Sequence, residues 1–208
     1  MSETVMTGAD ALVQTLADCG VKACFANPGT SEMHLVTALD NEPRVRSVLC
    51  LFEGVATGAA DGYARVSGVP AMTLLHLGAG YMNGGANIHN AKRAHTPMIN
   101  VIGDHATYHV RYDAPLTSNI LGLVGPNSIW VKSVDDVSKA GTLAEEAFRA
   151  SQSGKGGPIS LILPADSAWN EGAQKADQRP LPTKQPASED IVAEAAQKVT
   201  AAEKPMIL

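Results

Sequence analysis

Two side chains that can exchange protons stand where apolar segments of the sequence end. Glu53 follows the apolar run Val45–Phe52, and His76 lies near the end of the run Ala71–Leu77. We expect both runs to be strands, and ligands of α/β sheets usually bind where strands end. Leu51 and its neighbour Phe52 are predicted to wall the carboxyl, and burial favours its neutral form. A neutral carboxyl can hand a proton to a ring nitrogen, and histidine transfers protons near neutral pH.

Two glycine-containing segments accompany these residues. The turn Asn27-Pro28-Gly29 follows a short apolar run, and Thr30 or Ser31 is predicted to cap the next helix, with Glu32 near its positive end. The segment from Gly78 to Gly85 is predicted to be a loop. It is not a dinucleotide fingerprint, because Asn83 stands where a third glycine is required. A nucleotide-binding domain is therefore disfavoured.

The positioning elements alternate between short apolar strands and helices. Predicted strands are Val21–Ala26, Val45–Phe52, Ala71–Leu77, Met98–Ile102, Ser128–Val131 and Ile159–Leu163. Predicted helices begin after Thr7, near Thr30, at Glu53, after Gly85 and at Val134, the last ending near Ser151. Because near-continuous apolar strands alternate with helices, the fold class is α/β, a parallel sheet with helices on both faces.

The composition of the chain disfavours several classes of binding partner. The 208 residues carry a net charge of -5, which disfavours binding to nucleic acid or to an anionic membrane. Three cysteines without a Cys-x-x-Cys pair indicate reduced thiols and a cytoplasmic protein. His105 and His109 are four residues apart but lack a third ligand, so no metal site is predicted in this chain.

The stretch from Leu51 to Arg65 resembles a known family. Glu53, a run of small residues and then Ala60-Asp61-Gly62-Tyr63-Ala64 are similar to the pyrimidine-binding domain of thiamine-diphosphate enzymes of the acetolactate synthase, pyruvate oxidase and benzoylformate decarboxylase group. The resemblance covers roughly residues 7–170. It implies that Glu53 is catalytic and contacts N1′ of the cofactor's aminopyrimidine.

The same resemblance implies roles for other residues. In benzoylformate decarboxylase, a matching Asn-Pro-Gly turn carries a serine that touches the substrate carboxylate, and a matching histidine transfers protons. Here these positions are Thr30, a substrate residue, and His76, a catalytic and substrate residue. Acetolactate synthases usually lack this histidine, which favours the decarboxylase. The expected cofactor-binding residues are Glu53, Pro28, Gly29, Gly80, Asn83 and Asn87.

The implied activity is decarboxylation of a 2-oxo acid, similar to that of benzoylformate decarboxylase. Two alternatives stay open: an acetolactate-synthase-like carboligase, and a stand-alone cofactor-binding subunit that pairs with a partner carrying the diphosphate domain. The family binds the diphosphate and Mg²⁺ through a C-terminal domain whose Gly-Asp-Gly signature has no match in these residues. The family's cofactor also lies between two subunits, so a second copy of the protein, in a dimer or tetramer, is the expected partner.

The predicted domain organisation has three parts. Residues 1–170 form the pyrimidine-binding domain, and residues 171–188, rich in polar residues and proline, form an exposed linker. Residues 189–208 begin a truncated middle domain with a helix from about Ile191 to Ala202, followed by an apolar strand that starts at Lys204.

Overall fold

The computed structural model describes residues 5–181 and 186–206 of the chain. The strands are β1 Met6–Thr7, β2 Ala23–Asn27, β3 Arg46–Leu49, β4 Ala71–Leu75, β5 Met98–Asp104, β6 Val131–Ser133, β7 Pro158–Pro164 and β8 Glu171–Ala173. The α-helices are α1 Gly8–Asp18, α2 Met33–Asp40, α3 Glu53–Ser67, α4 Leu77–Arg93, α5 Ile120–Val124, α6 Ala140–Gln152, α7 Ala165–Trp169 and α8 Glu189–Ala201. No helix among these residues is both long and apolar enough to cross a membrane.

The central sheet confirms the predicted fold class. In the described residues its strand order is β3-β2-β4-β5-β7-β6, and every pairing is parallel. Parallel neighbours need crossover connections, and α2, α3 and α4 are three of them. The carboxyl ends of β2, β3 and β4 therefore meet at one edge of the sheet.

Alternating side chains of the strands form two cores. On one face, Met72 and Leu74 of β4 pack with α1, α2 and α6. On the other face, Ala71 and Leu75 pack with α3, α4 and α5. All four side chains are at most 1% exposed, as expected for a parallel strand covered on both sides. The two cores consist mainly of aliphatic side chains, many of them alanine. These small side chains let the helices lie close to the sheet.

The strand before Glu53 differs from the prediction. It covers Arg46–Leu49 rather than residues 45–52, and the predicted wall residues are open, with Leu51 91% and Phe52 49% exposed. The physical reason is that β3 is an edge strand, which among the described residues pairs only with β2 and is covered less than a central strand. The prediction of a buried strand walling Glu53 is wrong.

The glycine-rich segment also differs. Residues Gly78 to Gly85 belong to α4 rather than to a loop. Helix α4 packs directly against α3. Glycine suits this contact, because a Cβ on Gly84 would press on the side chain of Thr57. The helical register places Asn83 and Asn87 one turn apart on the same side of α4.

Smaller corrections concern the starts of elements. Neither Thr30 nor Ser31 caps α2, which follows a 3-10 turn over Thr30–Glu32. The predicted strand at residues 128–131 lies at Val131–Ser133. The predicted helix over residues 134–151 begins as an α-helix only at Ala140, after a 3-10 turn.

The first part of the predicted linker makes contacts with the domain, although most of its residues are exposed. Strand β8 pairs antiparallel with β1. Beyond it, the backbone N–H of Ala176 donates to the hydroxyl of Thr15 over 3.2 Å. Arg179 donates to the buried carboxylate of Glu145. Residues 171–179 therefore contact the domain, because polar groups on α1 and α6 find partners in them.

The last part of the chain agrees in part with the prediction. Helix α8 begins after Ser188, whose hydroxyl accepts from the N–H of Ile191 over 3.4 Å, and its residues are exposed. The predicted strand after Lys204 has no strand assignment up to Met206, and Ile207 and Leu208 lie outside the described residues. Residues 182–185 of the predicted linker also lie outside them.

The docking of residues 174–176 gives a stability test. A Cβ at Gly141 would overlap the backbone oxygen of Gln174 and lie 2.9 Å from the nitrogen of Ala176. Gly141→Ala is expected to destabilise the protein by about 1–3 kcal/mol, because backbone has to move. It should also expose residues 174–181 to proteases. Urea unfolding and limited proteolysis measure the two effects.

The matched control is Gly62→Ala, in an exposed part of α3 where a Cβ meets nothing within 4 Å. It is expected to stabilise by about 0.5–1 kcal/mol, because alanine loses less backbone entropy in a helix. Equal stability of the two variants would contradict the docking of this segment.

Candidate functional site

The carboxyl edge of the sheet brings the side chains of Glu53 and His76 together. Glu53 follows β3 and His76 follows β4, and both strands pair with β2. A Cβ built on Gly80 would lie 3.0 Å from Glu53 Oε1 and 3.4 Å from His76 Cβ. The two side chains therefore flank Gly80, whose missing side chain keeps the space between them open.

Glu53 is held by α4 rather than by an apolar wall. It is the first residue of α3 and only 8% exposed. The amide nitrogen of Asn83 donates to Glu53 Oε2 over 2.9 Å. Among the described residues, Oε1 has no protein donor, so one carboxyl oxygen is positioned by Asn83 and the other is not hydrogen-bonded.

The first turn of α3 is fixed to α4 by further polar contacts. Asn87 donates to the carbonyl of Gly54 over 2.7 Å. The Thr57 hydroxyl lies 3.0 Å from the carbonyl of Glu53 and 3.1 Å from that of Gly84. Asn83 and Asn87, predicted to bind cofactor, thus direct their amide nitrogens at α3. The sequence did not predict this, because it required the helical register of α4.

His76 occupies the residue before α4. The next residue, Leu77, has a φ of 53° and is fully buried, a conformation that is uncommon for a residue with a branched side chain. The imidazole packs on Gly29, where a Cβ would overlap the ring. Its Nδ1 lies 2.8 Å from Glu32 Oε2, and its side chain is 22% exposed. The ring is therefore held by Gly29 and Glu32 on one side and is partly open to solvent on the other.

Glu32 is the site residue that the sequence analysis missed. It is completely buried, and its Oε2 also accepts the backbone N–H of Gly29 over 2.7 Å. Burial raises the pKa of Glu32 above its ordinary value, while the hydrogen bonds from Gly29 and His76 lower it. A signal existed, since a glutamate three residues after a turn residue fits a capping box that reaches back to that N–H.

Other residues of this edge lie near the ends of β2 and β5. Pro28 and Gly29 form the turn between β2 and the 3-10 turn, and Thr30 is exposed beside them. Asp104 ends β5, where burial raises the pKa of its carboxyl. His105 and His109 have ring centroids 5.4 Å apart. Within residues 5–181 and 186–206, no cluster of three or more potential metal-ligating side chains is found.

The amino-acid sequence of the chain matches a known protein family. Residues 6–123 match the family described as thiamine pyrophosphate enzyme, N-terminal TPP binding domain. The chain is 59% identical over 171 residues, 82% of its length, to a Mycobacterium tuberculosis protein provisionally named acetolactate synthase large subunit IlvX. It is 28% identical over 215 residues, 98% of its length, to acetolactate synthase isozyme 3 large subunit of Escherichia coli.

Solved structures share the fold. A provisionally assigned thiamin diphosphate-dependent enzyme from Mycobacterium smegmatis superposes with a TM-score of 0.86 at 26% identity, over 95% of this chain and 38% of that one. The 4-hydroxybenzoylformate decarboxylase of Rhodococcus jostii RHA1 gives 0.85 at 21% identity, over 96% and 38%. The chain spans about a third of the two curated relatives, 33% and 36% of their lengths.

The contact between α3 and α4 gives a second stability test. Thr57→Val keeps the side-chain shape but removes a buried hydroxyl that serves the carbonyls of Glu53 and Gly84. We expect a loss of about 1–2 kcal/mol in the free energy of unfolding, because a buried acceptor loses its partner. Urea unfolding measures it.

Thr37→Val is the matched control. The Thr37 hydroxyl makes the same kind of bond, to the carbonyl four residues earlier, but on an exposed surface. Its variant should change stability by less than about 0.5 kcal/mol. A Thr57 variant as stable as the Thr37 variant would contradict a polar clamp between the helices.

Proposed function

The chain belongs to the thiamine pyrophosphate enzyme family, in which it is the N-terminal cofactor-binding domain, and on that premise we propose that the whole protein decarboxylates a 2-oxo acid. The reaction resembles that of benzoylformate decarboxylase. One observation carries this choice: an imidazole, His76, held through Nδ1 and open on its other side, next to the Glu53 carboxyl. A proton donor and acceptor at that place suits a reaction that must protonate a carbon after CO₂ leaves.

The residues present fit an aminopyrimidine. Glu53 offers a buried carboxyl with one oxygen held by Asn83 and the other without a protein donor in the described part of the chain. Gly80 leaves open the space where a side chain would press on that oxygen. When bound, thiamine diphosphate supplies the carbon nucleophile and the electron sink of the reaction.

We assign roles to the surrounding residues within this proposal. Glu53 holds or donates a proton at the pyrimidine ring nitrogen, and His76 moves protons at the substrate. Pro28, Gly29 and Gly80 line the cofactor, and Thr30 offers a hydroxyl to the substrate carboxylate. Asn83 and Asn87 act on the cofactor through α3, since their amide nitrogens bind Glu53 and Gly54.

A second candidate function is that of an acetolactate-synthase-like carboligase. The observation in its favour is the 59% identity to a relative that carries the acetolactate synthase name. Such an enzyme also removes CO₂ from a 2-oxo acid but joins the remainder to a second oxo acid. The two candidates differ in product, not in the role of Glu53.

Several partners belong to the same proposal. Mg²⁺ and the diphosphate are held by a C-terminal domain outside these residues, and a second copy of the protein completes the cofactor site in a dimer or tetramer. If that domain is on a different polypeptide, the chain is a cofactor-binding subunit. The three cysteines are buried and unpaired, which is compatible with a cytoplasmic protein.

The test of substrate and product uses the protein expressed from its complete gene, with thiamine diphosphate and Mg²⁺. CO₂ release from benzoylformate with benzaldehyde as product supports the decarboxylase. Release from pyruvate with acetolactate formed supports the carboligase and refutes the primary proposal. Release from neither acid refutes both substrate assignments.

The role of Glu53 has its own test. Glu53→Gln in the same protein is expected to slow deuterium exchange at the thiazolium carbon by about 100- to 10,000-fold, the usual contribution of a proton-transferring group. Stability to urea should change little, because glutamine can still accept from Asn83. Exchange is followed by proton NMR after acid quench.

The control for this variant is Glu203→Gln, which makes the same change at an exposed position near the end of the described chain. It should leave exchange unchanged. If the Glu53 variant exchanges as fast as this control, Glu53 does not activate the cofactor.

A further inference from the structure

Glu32 and His76 form a buried pair with a defined direction. The Glu32 side chain is completely buried, and its Oε2 lies 2.8 Å from His76 Nδ1. The same oxygen accepts the backbone N–H of Gly29 over 2.7 Å. An oxygen that already accepts one N–H in a buried site acts most simply as a carboxylate acceptor for a second. The proton between the two side chains is therefore assigned to His76 Nδ1.

The backbone of two glycines packs directly against the pair. A Cβ on Gly29 would overlap the imidazole of His76. A Cβ on Gly103 would overlap Glu32 Oε1, which has no hydrogen-bond partner among the described residues. Gly29, after β2, and Gly103, in β5, therefore both lie in close contact with this pair. Each side chain therefore lies against a glycine backbone in addition to its hydrogen bonds.

We propose that Glu32 is a positioning residue, which fixes His76 with its proton on Nδ1 and presents the bare Nε2 on the open side of the site. The tautomer of a histidine is set by the partner of one ring nitrogen, and it decides what the other nitrogen can do. Without Glu32, neutral imidazole prefers the proton on Nε2, and that nitrogen could not take a proton.

The proposal concerns a residue outside the family pattern around Glu53. Its consequence for turnover rests on the proposed role of His76, whereas the tautomer itself is a property of the chain. Glu32 does not touch the substrate in this scheme, because it is enclosed by Gly29, His76 and Gly103. It acts through the imidazole, in the way that a buried carboxylate orients a catalytic histidine in a triad.

The decisive experiment is a two-bond ¹H–¹⁵N correlation spectrum of the chain labelled with ¹⁵N-histidine, recorded at mildly alkaline pH without cofactor or substrate. The chain has 6 histidines, and His76→Gln identifies the signals of His76. Nδ1 is expected to show the shift of a protonated ring nitrogen, and Nε2 that of a bare one. The reverse pattern in the unaltered protein overturns the proposal without any variant.

Glu32→Leu removes the acceptor and should move the proton of His76 to Nε2. Glu42→Leu is the control, since Glu42 is also buried but pairs with Arg44, and it should leave the signals of His76 in place. If the Glu32→Leu variant keeps the tautomer of the unaltered protein, the proposal is overturned. If that variant does not fold, the spectrum of the unaltered protein still decides.

Turnover in the complete protein separates this inference from the proposed function. With the tautomer as expected, Glu32→Leu should lower kcat by about tenfold or more and change KM little, as for loss of general base function. An inactive parent protein would refute the decarboxylase but leave the tautomer result standing. Unchanged kcat in the variant would remove Glu32 from the reaction.

Discussion

The rest of the structure depends on the parallel pairing of the central strands. Parallel strands bond through evenly spaced backbone hydrogen bonds, and each needs a crossover that returns the chain to the same starting edge. Both faces of β4, β5 and β7 are covered as a result, and their side chains are apolar apart from a few hydrogen-bonded ones. The polar side chains of the candidate site lie instead at the edge where the strands end. Glu53 and His76 stand there because of the topology.

At that edge, buried carboxyl groups receive polar contacts from several elements. Burying a polar group without partners is costly, and each carboxyl group here has a specific partner: Glu53 has Asn83 from α4, and Glu32 has Gly29 and His76. The contacts with Asn83 and His76 join residues from different connections of the sheet. The site and the packing of α3 on α4 therefore depend on each other. A substitution that alters one is expected to alter the other.

The sequence predicted the fold class from the alternation of apolar strands and helices, and it placed Glu53 and His76 where strands end. It failed where tertiary context decides. Leu51 and Phe52 read as a buried strand by hydropathy, but an edge position leaves them open. Gly78 to Gly85 read as a loop by propensity, but packing on α3 makes the segment helical. Glu32 read as a helix-dipole partner, because nothing local shows that His76 reaches it.

The pairing of the two ends of the domain has a consequence for its synthesis. Helix α1 buries Leu12 and Leu16 completely, in the core that α6 helps to close, and β1 pairs with β8. A ribosome adding about 5–20 residues per second needs on the order of ten seconds to pass from the first of these elements to the last. During that interval the apolar face of α1 lacks the part of its native cover that α6 supplies. The first helix of the domain is therefore among the last to complete its packing, although it is made first.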